Sequence, residues 1–514
     1  MKGLKYLLVF VCFIPLLIFR DFTPNNELKY LSIADEALRD GHFFAFWNHG
    51  AAYADKPPLY LWIVMLGKWL FGTHSMFFLG LFSVIPALVT IRVMDKWTTP
   101  YLKNKYRDSA FLALITSGLF VGSAVVLRMD MLMCMFIVLA LYTFFKMYSG
   151  RAGKYDPVLL PVYIFLAVFT KGPVGILVPI LSIPVFLATQ HRFRDFGRYL
   201  GWRQWGILLA LCAVWFGCVY AEGGKSYLNN LLFNQTVNRA VDAFHHKEPV
   251  WYYLKTIWYS LAPWILLYVA AIILGIRKHL INTDLKRFFV VIITTTFIAL
   301  SIFSGKLDIY MLPIFPFIAY LAFLLLPALK GGWLKAAVGL PAVLLVLAFP
   351  GYFIVLHYVT LPVEPTWLYP TATFILSAGA AIALYQLYRQ QLLRAINSLA
   401  VGLLLTVFVG SFALPPLNPY MGFRAMSEKA QSIAHEEGIS TYYYYPFRSA
   451  ENIDAYIGCS LQPLEAEEIA ARDGKERFIL FVKERDRREK ADLQAAIAGH
   501  TEYRFGDYSV IVFK

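Results

Sequence analysis

Tyr53-Ala54-Asp55-Lys56-Pro57-Pro58-Leu59 sets a carboxylate beside an ammonium, directly before an apolar run. The proline after Lys56 disfavours helical backbone at the lysine, while Pro57-Pro58 suits the first turn of a helix. Acid and base are thus predicted to hold fixed directions at a helix N-terminus, where free backbone donors favour an anion. Three other turns also offer a lysine or arginine, two of them with an acid. "LRMDML" carries Arg128 and Asp130, "FTKGPVG" carries Lys171, and "SGKLDIYMLP" carries Lys306, Asp308 and Tyr310. Each alone has an ordinary explanation: a capped helix start, a local ion pair, a lysine snorkelling to an interface. Together they suit a pocket for a multiply charged anion such as a lipid phosphate. Their carboxylates would be available for proton transfer or for a divalent metal.

The elements that must position these turns are membrane helices. Of 514 residues, 59% are hydrophobic, and the mean hydropathy is +0.56, beyond what a soluble domain carries. About 13 apolar runs approach bilayer length, at 4–19, 75–94, 109–127, 129–147, 157–169, 174–189, 205–220, 252–276, 288–303, 310–327, 334–358, 370–387 and 398–414. The first follows Lys2 and Lys5 and lacks a small-residue cleavage site in "FRDFTPNN", so an uncleaved anchor is expected. The basic loops alternate: Lys96 to Arg107, Arg151 and Lys154, Arg192 to Arg203, Arg277 to Arg287, and Arg389 and Arg394. By the positive-inside rule these loops are cytoplasmic, which places 20–74, 221–250 and the C-terminal tail outside. The same asymmetry accounts for the net charge of +14 without a nucleic acid partner. Four of the five cysteines lie in apolar runs, leaving only Cys459 in the tail and no CxxC pattern.

Residues 1–414 thus read as a helical membrane domain with a long outer loop at 20–74. In that loop Leu28, Leu31, Ala34 and Leu38 fall at helical spacing, with Asn25 or Asn26 as N-cap and Gly41 as stop. This short helix is predicted to lie on the membrane surface. Residues 415–514 change composition to a charged helix and strands at "TYYYYP", "RFILFVK" and "YSVIVFK", predicting a small α/β domain. The tyrosines at 442–445 suit either sugar stacking or a buried aromatic strand.

The turns, in order, resemble the bacterial aminoarabinose transferase family, which is related to the protein O-mannosyltransferases and belongs to the GT-C glycosyltransferases. The resemblance rests on an acidic helix after the first span, Tyr53 to Leu59, Arg128-Met129-Asp130, Thr170-Lys171-Gly172, Arg239 with "PVWYYL" at 249–254, and "SGKLDIYMLP" at 304–313. It implies a GT-C architecture and a monosaccharide taken from a polyprenyl (undecaprenyl) phosphate on the periplasmic face of a bacterial inner membrane. The acceptor would be lipid A phosphate, a protein hydroxyl or another envelope glycan. By position, the resemblance implies that Lys56 and Arg239 neutralise the lipid phosphate and that Lys171, Lys306 and Tyr310 line the pocket. Asp55 would sit at the acidic metal-binding position and Asp130 at the second loop acid, with Asn26, Lys29, Tyr53 and Arg128 nearby. Two positions depart from the family. Asn26 in Asn26-Glu27-Leu28-Lys29-Tyr30 replaces the aspartate usually given the central role, and Thr236 replaces a histidine three residues before the pocket arginine. Glu27 is then a candidate for the acidic role, and His245 and His246 for the metal.

A phosphate acceptor is already ionised, whereas a hydroxyl needs a base such as Glu27, Asp55 or Asp130. A secondary transporter would place its charges at the bilayer midplane; here they gather at one face. A monomer with lipid partners is expected.

Overall fold

The computed structural model describes residues 3–233 and 247–514. Every apolar run singled out above is helical. Among the described residues, eight helices are long and apolar enough to cross a membrane, or up to 11 if three bent pairs each count as one span. Two expected single spans are broken. The 252–276 run folds as Tyr252–Ser260 and Ile265–Arg277, bent by 115°, and the 109–127 run as Asn104–Ile115 and Gly118–Val125, bent by 68°. Both breaks lie inside apolar sequence, so hydropathy does not mark them. The chain is a multi-pass membrane protein.

Asp308–Ala328 runs through the middle of the bundle, and each residue of its helix Phe315–Leu325 is buried. Gly332–Val346 and Ala348–Tyr358 lie at the rim, with most side chains outward. Trp97 anchors one end of the core, its ring 5.1 Å from Phe289 and 5.5 Å from Phe145.

Ionisable groups gather at the two ends. At the basic-loop end, Asp95 accepts from Lys5 Nζ (2.6 Å), Tyr6 (2.5 Å) and Tyr320 (2.6 Å), and Lys146 pairs with Asp156 at 2.7 Å. The opposite end, the loop face, collects 20–74 and the turns at 126–130, 171–173 and 303–308. Lys29–Asp40 forms the expected helix, ended by Gly41 in left-handed backbone (φ 77°). Its start differs from expectation: a π-helical turn, Pro24–Leu28, precedes it, and neither Asn25 nor Asn26 caps it. Asn25 instead accepts from Ser449 at 2.7 Å, and Asn26 is exposed. Trp47–Asn48 (β1) and Ala51–Ala52 (β2) form a small hairpin, after which Pro58–Phe71 begins with its proline in the first turn, as expected.

The C-terminal helix Arg424–Glu437 leads into a five-stranded mixed sheet built from Tyr442–Tyr444 (β3), Gln462–Pro463 (β4), Phe478–Lys483 (β5), Thr501–Phe505 (β6) and Tyr508–Phe513 (β7), in the order β4-β3-β5-β7-β6. Its central strands are buried on both faces, which explains their unbroken hydrophobic runs. Ile479, Phe481, Val510 and Val512 share a core with Phe22, Leu28, Leu31 and Ile33 of the outer loop. Phe478, Leu480, Ile511 and Phe513 pack on the other side with Tyr443, Tyr445, Ile469 and Leu493. Tyr443 and Tyr445 are therefore core residues of the domain. Because the first core is shared, the sheet is fastened to the outer loop by apolar burial.

Candidate active site at the loop face

Asp55 and Lys56 lie on the turn before Pro58–Phe71. Lys56 Nζ meets Asp55 Oδ2 at 2.7 Å, and both side chains are about one-fifth exposed (19% and 22%). The Tyr53 hydroxyl reaches the same carboxylate oxygen at 3.4 Å, and Lys29 Nζ stands 4.6 Å over the Tyr53 ring. This wall is held from outside. Tyr227, near the end of Trp202–Asn229, donates to Tyr53 O at 2.7 Å and accepts from Phe46 N at 3.0 Å. One turn earlier, Glu222 accepts from Phe43 N, Phe44 N and Ala45 N at 2.5–2.7 Å.

The second wall is Arg128, Asp130 and Lys171. Asp130 opens the helix Asp130–Tyr148 and is buried; one carboxylate oxygen takes Arg128 Nε at 3.1 Å, and the other takes Lys171 Nζ. Lys171 Nζ also lies 4.6 Å from the Tyr310 ring centre. The two walls face each other. Lys56 is within electrostatic reach of both Asp130 and Lys171, and Tyr30 is within reach of Asp55, Arg128, Asp130 and Tyr310. Asp55, Arg128, Asp130 and Tyr310 thus gather around Tyr30, with Lys56 joined to them through Asp55 and Lys171 through Asp130.

Glu27 and Lys306 are placed differently. Glu27 is fully buried and accepts from both Arg20 Nη atoms at 2.7 Å. Lys306, also buried, donates to the carbonyls of Glu248 (2.7 Å) and Phe303, closing a β-bridge between Lys247 and Gly305. Burial lowers the Lys306 pKa, opposed by the nearby Glu248 charge. Arg239, Thr236, His245 and His246 lie outside the described residues. Among the described residues, no three His, Cys, Asp or Glu side chains are grouped to hold a metal, and Lys56 occupies the Asp55 carboxylate.

A crystal structure of ArnT from Cupriavidus metallidurans bound to undecaprenyl phosphate superposes with a TM-score of 0.78 at 17% identity, covering 100% of this chain and 98% of that one. The chain shares the fold of that protein. The apo structure of the same ArnT gives a TM-score of 0.75 at 18% identity over the same coverage. In sequence, the chain is 27% identical over 308 residues to the undecaprenyl phosphate-alpha-4-amino-4-deoxy-L-arabinose arabinosyl transferase of Edwardsiella ictaluri, covering 58% of this chain and 54% of the relative. The enzyme of the same description from Yersinia pestis is 24% identical over 300 residues, covering 56% and 52%. The chain spans about half the length of these curated relatives. No family model matches it.

Several residues that hold the site escaped the sequence reading. Arg20 and Asp21 end the first helix. Asp21 accepts from Tyr456 (2.5 Å) and Arg424 N (3.0 Å) of the C-terminal domain. Gly422 passes so close that a Cβ there would lie 2.1 Å from Asp21 Oδ2. His49 Nε2 meets Asp454 at 2.9 Å. The available signal was polarity at the end of an apolar run; the partners lie hundreds of residues away.

Proposed function

We propose that the chain is an integral membrane glycosyltransferase, moving a monosaccharide from a polyprenyl phosphate to an envelope acceptor, with lipid A phosphate as the first choice. The observation that carries this is the cluster of Lys56, Arg128 and Lys171, paired with Asp55 and Asp130, at one end of a bundle sharing the ArnT fold. Likeness to transferases named for undecaprenyl phosphate-aminoarabinose supports the donor and acceptor class. The basic-loop asymmetry and that likeness support a bacterial inner membrane, with the loop face and C-terminal domain in the periplasm.

In the reaction the bond between the anomeric carbon and the donor phosphate oxygen breaks, its electrons leaving with the phosphate. An acceptor oxygen attacks from the opposite side, inverting the anomeric centre. Negative charge grows on the leaving phosphate, and preorganised cations stabilise it more in the transition state than in the ground state. Lys56 and Arg128 are the partly exposed cations able to meet it, with Arg239 placed at the same phosphate by the family resemblance. Asp130 is committed to Arg128 and Lys171 and holds Lys171 in place. Asp55, partly exposed and paired with Lys56, is the acid assigned to take the proton when the acceptor is a hydroxyl; a phosphate acceptor brings an ionised oxygen and needs no base.

Whole-cell lipid A mass spectrometry tests this in a strain that makes the donor. Expression of the wild type is expected to add the mass of one aminopentose to lipid A, and Lys56→Ala to remove the gain. Expressed protein without any gain would rule out lipid A as acceptor and direct the search to glycoproteins and other envelope glycans.

A further inference from the structure

We propose that Glu27 is a positioning residue: with Arg20 it clamps the turn carrying Arg128 and Asp130 against the helix carrying Lys29 and Tyr30. Its effect on turnover rests on the transferase reading above; its effect on the turn does not.

The carboxylate is saturated. Oε1 accepts from Arg20 Nη2 (2.7 Å) and Leu127 N (2.8 Å). Oε2 accepts from Arg20 Nη1 (2.7 Å), Thr23 N (2.7 Å) and Thr23 Oγ1 (3.0 Å). A carboxylate offers about four acceptor sites, so none is left for a substrate proton. Protonation would also strand the Arg20 guanidinium, itself buried.

These contacts span two separate segments. Arg20 Nη2 reaches Val125 O at 3.4 Å, and Glu27 holds Leu127 N; between them Ser83 donates to Val126 O at 2.8 Å. All three residues of the 125–127 turn are gripped through the backbone. Arg128 and Asp130 follow at once. On the other side Glu27 sits in the π turn that leads directly into Lys29 and Tyr30, and Lys29 stacks on Tyr53. The Arg20–Glu27 pair therefore sets the distance between the Asp130–Lys171 wall and the Asp55–Lys56 wall. Displacing catalytic groups by about 1 Å costs on the order of 100-fold in rate.

The test uses purified full-length protein in lipid nanodiscs and three readouts: amide hydrogen exchange, melting temperature, and transfer kinetics against pH with an undecaprenyl phosphate-linked aminopentose and lipid A. Glu27→Gln removes the charge, and the double variant Arg20→Met with Glu27→Met removes both charges, so no unpaired charge stays buried. In both variants, exchange in residues 125–130 is expected to quicken at least tenfold, while exchange in Phe315–Leu325 is unchanged. The double variant is expected to lose about 100-fold in kcat, with donor KM within about threefold, and Glu27→Gln to keep any acid limb of its pH profile in place. Unchanged exchange at 125–130, or an acid limb abolished by Glu27→Gln, would overturn the proposal. If the wild type transfers no sugar, the transferase reading fails while the exchange data still decide the role of Glu27.

Discussion

The Tyr227 hydroxyl donates to the carbonyl of Tyr53 at 2.7 Å, joining the outer end of the long helix Trp202–Asn229 to the residue that follows the hairpin, two before Asp55. It also accepts from Phe46 N, so one buried hydroxyl fixes both sides of the hairpin that precedes the pocket. The wall bearing Asp55 and Lys56 is thus positioned by a helix more than 150 residues later in the chain.

Tyr227→Phe keeps the ring and removes both hydrogen bonds. Stranding a buried backbone N–H and C=O costs about 1–3 kcal/mol, so a lower melting temperature is expected, with turnover falling more than donor affinity. Thermal unfolding and steady-state kinetics of the same preparation check this. An unchanged melting temperature would mean that the hairpin is held elsewhere.

Lys171→Met removes one of the two partners of buried Asp130 and leaves Arg128. Breaking a buried pair costs about 3–5 kcal/mol when the remaining charge has no other partner; with Arg128 present, a loss at the low end, about 3 kcal/mol, is expected. Lys171→Met with Asp130→Leu leaves the part-exposed Arg128 as the remaining charge and should recover part of the stability without recovering transfer. Melting temperatures of the single and double variants, with transfer assays, provide the check.

His49 makes the docking of the C-terminal domain depend on pH. Burial pulls its pKa down, but the hydrogen bond and charge of Asp454, with Glu451 and Glu36 behind, outweigh it and raise the value above the usual histidine one. A histidine raised in the folded state adds stability below its unfolded pKa and loses it as pH rises through the folded pKa. Docking is therefore expected to be tighter near pH 6 than near pH 9. Hydrogen exchange in residues 449–458 at the two pH values reads it, and His49→Gln should remove the difference.

Gly422→Ala places a methyl carbon against Asp21 Oδ2, where the Asp21 contacts to Arg424 and Tyr456 join the membrane helices to the C-terminal domain. Faster proteolysis between residues 412 and 424 is expected, with the long helices intact. Protection equal to wild type would show that the shared apolar core alone carries the docking.

Much of the architecture was legible because membrane helices and buried strands announce themselves by composition. The thirteen apolar runs are helical, and the strands at 442–444, 478–483 and 508–513 fall within their predicted stretches. The turn residues were legible for a related reason: a charge at the end of an apolar run requires a partner. Which partner it finds was not. The Arg20 partner of Glu27, seven residues earlier and across a π turn, gives no periodic signal. The acceptors of Lys306 are backbone carbonyls, which sequence does not distinguish. The 115° bend near residue 262 and the strand Thr501–Phe505 lay in stretches whose composition fitted a straight span and a loop equally well.

The central claim is that the Asp55–Lys56 wall and the Asp130–Lys171 wall form one lipid-phosphate pocket. Its most direct test is the affinity of purified protein in nanodiscs for undecaprenyl phosphate, measured for wild type, Lys56→Ala, and Lys335→Ala at the opposite end of the bundle. Loss of a charge-assisted contact of roughly 1.5–3 kcal/mol corresponds to about 10- to 150-fold weaker binding. A loss in that range for Lys56→Ala, with Lys335→Ala like the wild type, is the expected result. Equal affinity in all three proteins would contradict the claim.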